Sequence, residues 1–165
     1  MSVNIEFQWS EDVYLTAGEI AQKYKMTHTW KKYIGYFFIG LIIVGVIKLS
    51  KDRDYSIIYI GVILSIYWFY IRDFLYKLRL KKSFEKEGIK HLKMLFNINK
   101  SRININGNII PWRDVSLVIL HPKGFLIERP EGYPYIPATA FARDKDVEFF
   151  LKLIDKNSIP LIKLT

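Results

Sequence analysis

Cysteine is absent from all 165 residues. That removes disulfides, thiolate metal sites and a cysteine nucleophile together, and it suits a bacterial cytoplasmic setting. Histidine is scarce: His28, His91 and His121 are isolated, without metal-ligand spacing, so no metal is expected. No glycine run has a phosphate-cradling pattern, because Gly107, Gly124 and Gly132 all punctuate turns. Glu85 with Glu87, and Asp144 with Asp146, are spaced two apart on expected helices. At that spacing they face different directions and read as solvated charges, not as acid–base pairs. With no nucleophile–base pair in view, the chain is expected not to be an enzyme and to carry no cofactor.

The most informative absence is of charge. Residues 33–47 and 55–71 contain no charged side chain, and they are bounded by Lys32 and Lys48 and by Asp54 and Arg72. A helix crossing the hydrocarbon needs about 20 residues, with a working range of about 17–25. The second run meets the low end. The first is shorter, and is lengthened by Trp30, Leu49 and the snorkelling of its flanking lysines. Two such runs exceed what so short a chain can bury in a soluble core. They predict a transmembrane hairpin over residues 30–76. Neither run holds Asp, Glu, Lys, Arg or His, so no ion pathway is expected.

Aromatics and basic residues give that hairpin an orientation. Trp30 and Tyr33 at the start of the first run, and Tyr67 and Trp68 near the end of the second, are the expected interfacial aromatics. The net charge of +9 gathers on the outer flanks: Lys23, Lys25, Lys31 and Lys32 before the hairpin, then Arg72, Lys77, Arg79, Lys81 and Lys82 after it. The loop 48–54 is weakly charged by comparison. By the positive-inside rule both termini face the cytoplasm. No secretory signal is expected, since the first apolar run starts late and lacks a small-residue cleavage site. The five-residue spacing of Gly35, Gly40 and Gly45 is expected to scatter them around the first helix, while Gly61 and Ser65 form a small-xxx-small pair that lets another helix approach closely; a homo-oligomer is among the expected partners. Nucleic acid is not expected as a partner, because the basic residues flank membrane spans and do not cover a folded face.

The remaining segments read as an α+β domain. Val3, Ile5, Phe7 and Trp9 alternate with polar residues in a half-buried strand pattern, and Ser10, Glu11 and Asp12 start a helix. A basic juxtamembrane helix is expected over 77–91. From residue 92 onward the pattern becomes strands, with Phe96 and Ile98, then Ile103 and Ile105, alternating with asparagines. Asn106-Gly107 is a strong hairpin signal. Further strands are expected from Ile109, over 115–120, 125–128 and 133–136. Val147, Phe150, Leu151 and Ile154 then form the stripe of an amphipathic helix. Several antiparallel strands closed by a C-terminal helix outline a pleckstrin-homology-like roll over 92–165. A single strand is not stable alone, so residues 1–29 are expected to pack on that domain, with the N-terminal strand pairing into its sheet. Trp112 reads as core, and Pro111 and Pro137 as strand ends or edges.

Ile110, Pro111, Trp112, Arg113 and Asp114, followed by Ile136, Pro137 and Phe141, resemble the C-terminal motifs of the YcxB-like family of bacterial membrane proteins. The layout as a whole is similar, but specific motifs occur only over 109–141, and Ala138 stands where such sequences often carry a basic residue. The resemblance implies a pleckstrin-homology-like domain on a membrane hairpin, and it brings no catalytic residues; the expected location of the whole is the bacterial inner membrane. The expected function is regulatory or scaffolding, through a protein partner or lipid headgroups. The candidate headgroup contacts are Arg72, Lys77, Arg79, Lys81 and Lys82. A membrane-anchored immunity protein neutralising a toxin is the alternative, and a neighbouring toxin gene would discriminate it.

Overall fold

The alternation of Val3 and Ile5 with Asn4 and Glu6 is realised as strand β1 (Val3–Gln8), and the polar turn after it starts helix α1 (Glu11–His28). The Ser10 hydroxyl accepts from the Val13 backbone N–H at 3.3 Å, satisfying one of the free donors of the first turn. The two apolar runs form helix α2 (Lys32–Asp52) and helix α3 (Ser56–Ile66). A π-helical segment, Tyr67–Ile71, continues α3 into helix α4 (Arg72–Lys86). This computed structural model describes residues 2–86, 88 and 92–164. Most of the far end of the basic helix expected over 77–91, including Glu87, Lys90 and His91, lies outside the described residues.

The chain forms two units, residues 22–83 and residues 1–21 with 84–165. The first is the hairpin. Among the described residues, α2 and the helix Ser56–Lys86 are long and apolar enough to cross a membrane, and protein buries only 11% and 6% of their most apolar stretches. A core helix in a soluble protein would be mostly covered. Helices α1 and α4 each contribute to both units.

The second unit holds two four-stranded sheets. Strands β2 (Lys93–Ile98), β3 (Arg102–Ile105) and β4 (Asn108–Pro111) join β1 in the order β1-β2-β3-β4, all antiparallel. The expected pairing of the N-terminal strand is present: Val3 lies opposite Ile98 and Ile5 opposite Phe96. The turn between β3 and β4 uses Asn106 at φ 49° and Gly107 at φ 93°, the left-handed pair that a two-residue hairpin demands. A short 3-10 turn, Trp112–Asp114, leads to the second sheet. It contains β5 (Leu117–His121), β6 (Gly124–Glu128) and β7 (Tyr135–Pro137), followed by helix α5 (Asp144–Lys156) and β8 (Leu161–Lys163). Its order is β7-β6-β5-β8. The last strand was not expected from the sequence. It pairs parallel with β5, so this sheet is mixed and not purely antiparallel.

Both sheets and α5 share one core. Ile5, Phe96, Ile98, Ile103 and Ile110 from the first sheet meet Val118, Phe125, Ile127 and Ile136 from the second, with Phe150, Leu153 and Ile154 from α5. Trp112 is core, as its position implied. It is 5% exposed, its Nε1 donates to the Asn99 carbonyl at 3.0 Å, and its ring lies 6.3 Å from Phe150. Pro111 and Pro137 fall on the edge strands β4 and β7, where a missing N–H disrupts no ladder. One expectation is corrected here: Asp146 is buried, not solvated. Its carboxylate takes two contacts from the Arg143 guanidinium at 3.2 and 3.3 Å, which pairs the charge that burial would otherwise penalise.

Candidate membrane interface and polar sheet face

Close approach of α2 and α3 depends on glycine. A side chain at Gly45 would meet the Ile58 backbone nitrogen at 2.8 Å, and one at Gly61 would meet that of Ile42 at 3.1 Å. Gly35 faces Trp68 and Phe69 in the same way. Gly35 and Gly45 are therefore not scattered. Ten residues at about 100° each fall only about 80° short of three full turns, which returns both to one side. Gly40, halfway between them, has nothing within 4 Å. The small pair Gly61 and Ser65 does admit another helix: Gly61 is closely approached by the chain's own α2, while the Ser65 Oγ is buried without a partner.

The interfacial aromatics divide into two kinds. Trp30, Tyr33 and Tyr67 are exposed, at 69%, 60% and 43%. Trp68 is half-buried, packs edge-on against Phe38 at 5.9 Å, and holds the Arg72 guanidinium over its ring at 4.4 Å. Arg72 also pairs with Asp73 at 2.9 Å and directs Nη1 at the Met26 sulfur at 3.4 Å. Gln22 Nε2 donates to the same Asp73 carboxylate at 2.8 Å, leaving its Oε1 buried without a donor. This cluster was missed in the sequence reading, because Gln22 and Asp73 are brought together only by the fold.

The other basic candidates lie along α4. Lys77, Arg79, Lys81 and Lys82 are exposed, beside the exposed apolar side chains Phe74 and Leu78. At about 100° per residue, Lys77, Lys81 and Lys82 flank the Phe74–Leu78 side, and Arg79 points away from it. Lys77 and Lys81 are engaged by other groups of the protein. At the opposite end of the hairpin, Lys48 pairs with Asp54 at 3.0 Å. The Asp54 carboxyl is held well below the usual carboxylate range, chiefly by the Ser56 backbone N–H, then by the Ser56 hydroxyl and Lys48.

In the sheet unit, the outward face of the first sheet carries a row of carboxamides. Asn4, Asn97 and Asn104 stand opposite one another across β1, β2 and β3. Asn97 Nδ2 donates to Asn4 Oδ1 at 2.6 Å, Gly107 N donates to Asn104 Oδ1 at 2.9 Å, and Leu95 N donates to Asn106 Oδ1 at 2.7 Å. With Glu6 and the exposed Leu95 these residues line an open depression of about 550 Å³. Carboxamides donate and accept but do not ionise, so beside the Glu6 carboxylate, which pairs with Lys93, the row itself can match polar, uncharged groups. The alternating asparagines signalled a solvent face; that they align across three strands depends on register, which local sequence did not reveal.

The two described histidines, His28 and His121, do not converge. His28 stacks on Tyr24 at 5.0 Å, and His121 Nδ1 accepts from the Lys123 N–H at 3.2 Å. Among the described residues, no three of His, Asp or Glu gather as a metal site. No family model matches the chain, nor does any curated protein or solved structure.

Proposed function

We propose that the chain is an integral protein of the bacterial inner membrane, with both termini in the cytoplasm, and that its two-sheet unit is a pleckstrin-homology-like binding module. The module acts in a regulatory or scaffolding role through a protein partner or lipid headgroups. The observation that carries the membrane assignment is the bareness of α2 and of Ser56–Lys86, whose most apolar stretches are 11% and 6% buried. Water solvates such surfaces poorly, at about 25 cal/mol per Å², whereas lipid solvates them well. Two four-stranded sheets over a shared core, with α5 packed into it, support the pleckstrin-homology-like reading. So does the resemblance of residues 109–141 to the YcxB-like pattern. The strand β8 is an addition to that outline. The binding role rests on the open carboxamide face, by fold analogy.

Two measurements test this reading. Carbonate washing of membranes should leave the chain in the pellet; release into the supernatant would end the membrane assignment. Proteins co-purifying from solubilised membranes should be lost on Leu95→Asp or Asn104→Arg, which alter the face without touching the core. Retention of the same proteins by both variants would remove that face from the proposal.

A further inference from the structure

The glycine contacts fix which residues of the hairpin share a level. Gly45 lies against Ile58, Gly61 against Ile42, and Gly35 against Trp68 and Phe69. Continuing that register brings Lys32 level with Ile71 and Arg72 at one end, and Lys48 level with Tyr55, beside Asp54, at the other. Sixteen residues separate Lys32 from Lys48, a rise of about 24 Å at 1.5 Å per residue. The π-helical turn Tyr67–Ile71 advances less per residue, so the second helix gains no length there. A typical hydrocarbon core is roughly 30 Å thick.

Snorkelling is the usual way to close such a gap, but two of these charges are held in place. Lys48 reaches across to Asp54, near its own level, and Asp54 is itself fixed to the Ser56 N–H at 2.9 Å. Arg72 folds back over Trp68, one turn nearer the middle of the apolar run. That is the direction in which helix side chains lean, toward the N-terminus, and here it points the charge inward. The tyrosines tell the same story. Tyr59 and Tyr67 are 64% and 43% exposed, each more than one residue inside the charged levels, and phenols favour headgroup depth.

We propose that the hairpin is built for a hydrocarbon layer of about 24 Å, so that it prefers thin bilayers and thins thicker ones around itself. This rests on the membrane assignment above. The full-length chain is reconstituted in phosphatidylcholine vesicles with monounsaturated chains of fourteen, eighteen or twenty-two carbons. Flotation reports insertion, and tryptophan quenching by brominated lipids of each length reports relative lipid affinity at Trp30 and Trp68. Fourteen-carbon lipid should bind roughly threefold better than eighteen-carbon lipid, and twenty-two-carbon lipid worst. Arg72→Leu, and separately Lys48→Leu, should shift the optimum toward longer chains. A wild-type optimum at eighteen carbons or beyond, with insertion intact, overturns the thickness proposal alone. Failure to float with any vesicle overturns the membrane assignment and this proposal with it.

Discussion

Asn97 donates its side-chain amide to the Asn4 carboxamide oxygen at 2.6 Å, across a sequence separation of 93 residues. Everything between them, including the whole hairpin, is a loop closed by the pairing of β1 with β2. Val3 and Ile5 of β1 are 3% and 1% exposed. Burying side chains of this size is worth about 1.5–3 kcal/mol each, a large share of a typical margin of about 5–15 kcal/mol. A fragment of residues 92–165 should therefore be poorly folded until a peptide of residues 1–10 is supplied. Ile5→Asp should mimic the deletion. Phe7→Asp should do so less fully, because Phe7 is only half-buried against Phe96 at 5.7 Å. A dispersed NMR spectrum from 92–165 alone, unchanged by the peptide, would refute this.

Tyr135 gives the sheet unit an alkaline limit. Its hydroxyl donates to the Lys123 carbonyl at 2.7 Å, the residue is 2% exposed, and burial pushes its pKa up to about 12. A raised folded-state pKa means that the folded state favours the protonated phenol. Its stabilising contribution is complete below the unfolded value near 10 and is lost as pH rises toward 12. Denaturant midpoints should fall across that window. Tyr135→Phe should lower stability by about 1 kcal/mol at neutral pH while flattening the alkaline decline. An unchanged slope in the variant would assign the decline to other groups.

The glycines of α2 separate packing from composition. Gly45→Val should force the helices apart against the Ile58 backbone, at a cost of about 1–3 kcal/mol. Gly40→Val, in the same helix and the same apolar run, has open space around it and should cost little. Denaturation midpoints of the two variants in detergent, followed by helical circular dichroism, would read the difference. Equal midpoints would show that the helices do not approach as closely as these contacts require.

What the sequence made legible was local or periodic. The charge-free runs, the Asn106-Gly107 turn, the α5 stripe and the β1 alternation each announce themselves within a few residues. The parallel strand β8 did not, because its three residues pair with β5, more than forty positions away in the chain, and lack an alternation long enough to recognise. The shared packing side of Gly35 and Gly45 is hidden by their five-residue steps through Gly40 and emerges only from the ten-residue return to one face. The Gln22–Asp73–Arg72–Trp68 cluster and the carboxamide row exist only once register and helix pairing are fixed. The fate of Asp146 depended on Arg143 being free to fold over it, which spacing alone does not reveal.

Basic residues on α4 should tune lipid contact without serving as the anchor. Replacing Lys77, Arg79, Lys81 and Lys82 together with Gln should leave the chain in the membrane fraction after a salt wash. Near an anionic surface each charge contributes at most about 1 kcal/mol, so enrichment of phosphatidylglycerol around the reconstituted protein should fall several-fold. Because Lys77 and Lys81 already have partners within the protein, the pair Arg79→Gln and Lys82→Gln should account for at least half of that loss. No change on removing all four charges would leave them the single role of setting topology.

Sidedness is the simplest consequence of the charge pattern to measure, because the chain has no native cysteine to interfere. Lys31, Lys32, Arg72 and the α4 cations gather at one end of the hairpin, and Lys48, Lys51 and Arg53 at the other, with Lys48 spent on Asp54. The positive-inside rule counts lysines and arginines near the helix ends, and the excess lies with the termini. Single cysteines at Ser2, Ser101 and Ser50, all exposed, sample both sides. In intact cells an impermeant thiol reagent should label the cysteine at position 50 and spare those at 2 and 101, and all three should react once the membrane is opened. Labelling at 2 and 101 with protection at 50 would invert the topology. Labelling of 2 but not 101 would contradict the pairing of β1 with β2, since residues of one sheet cannot lie on opposite sides of a bilayer.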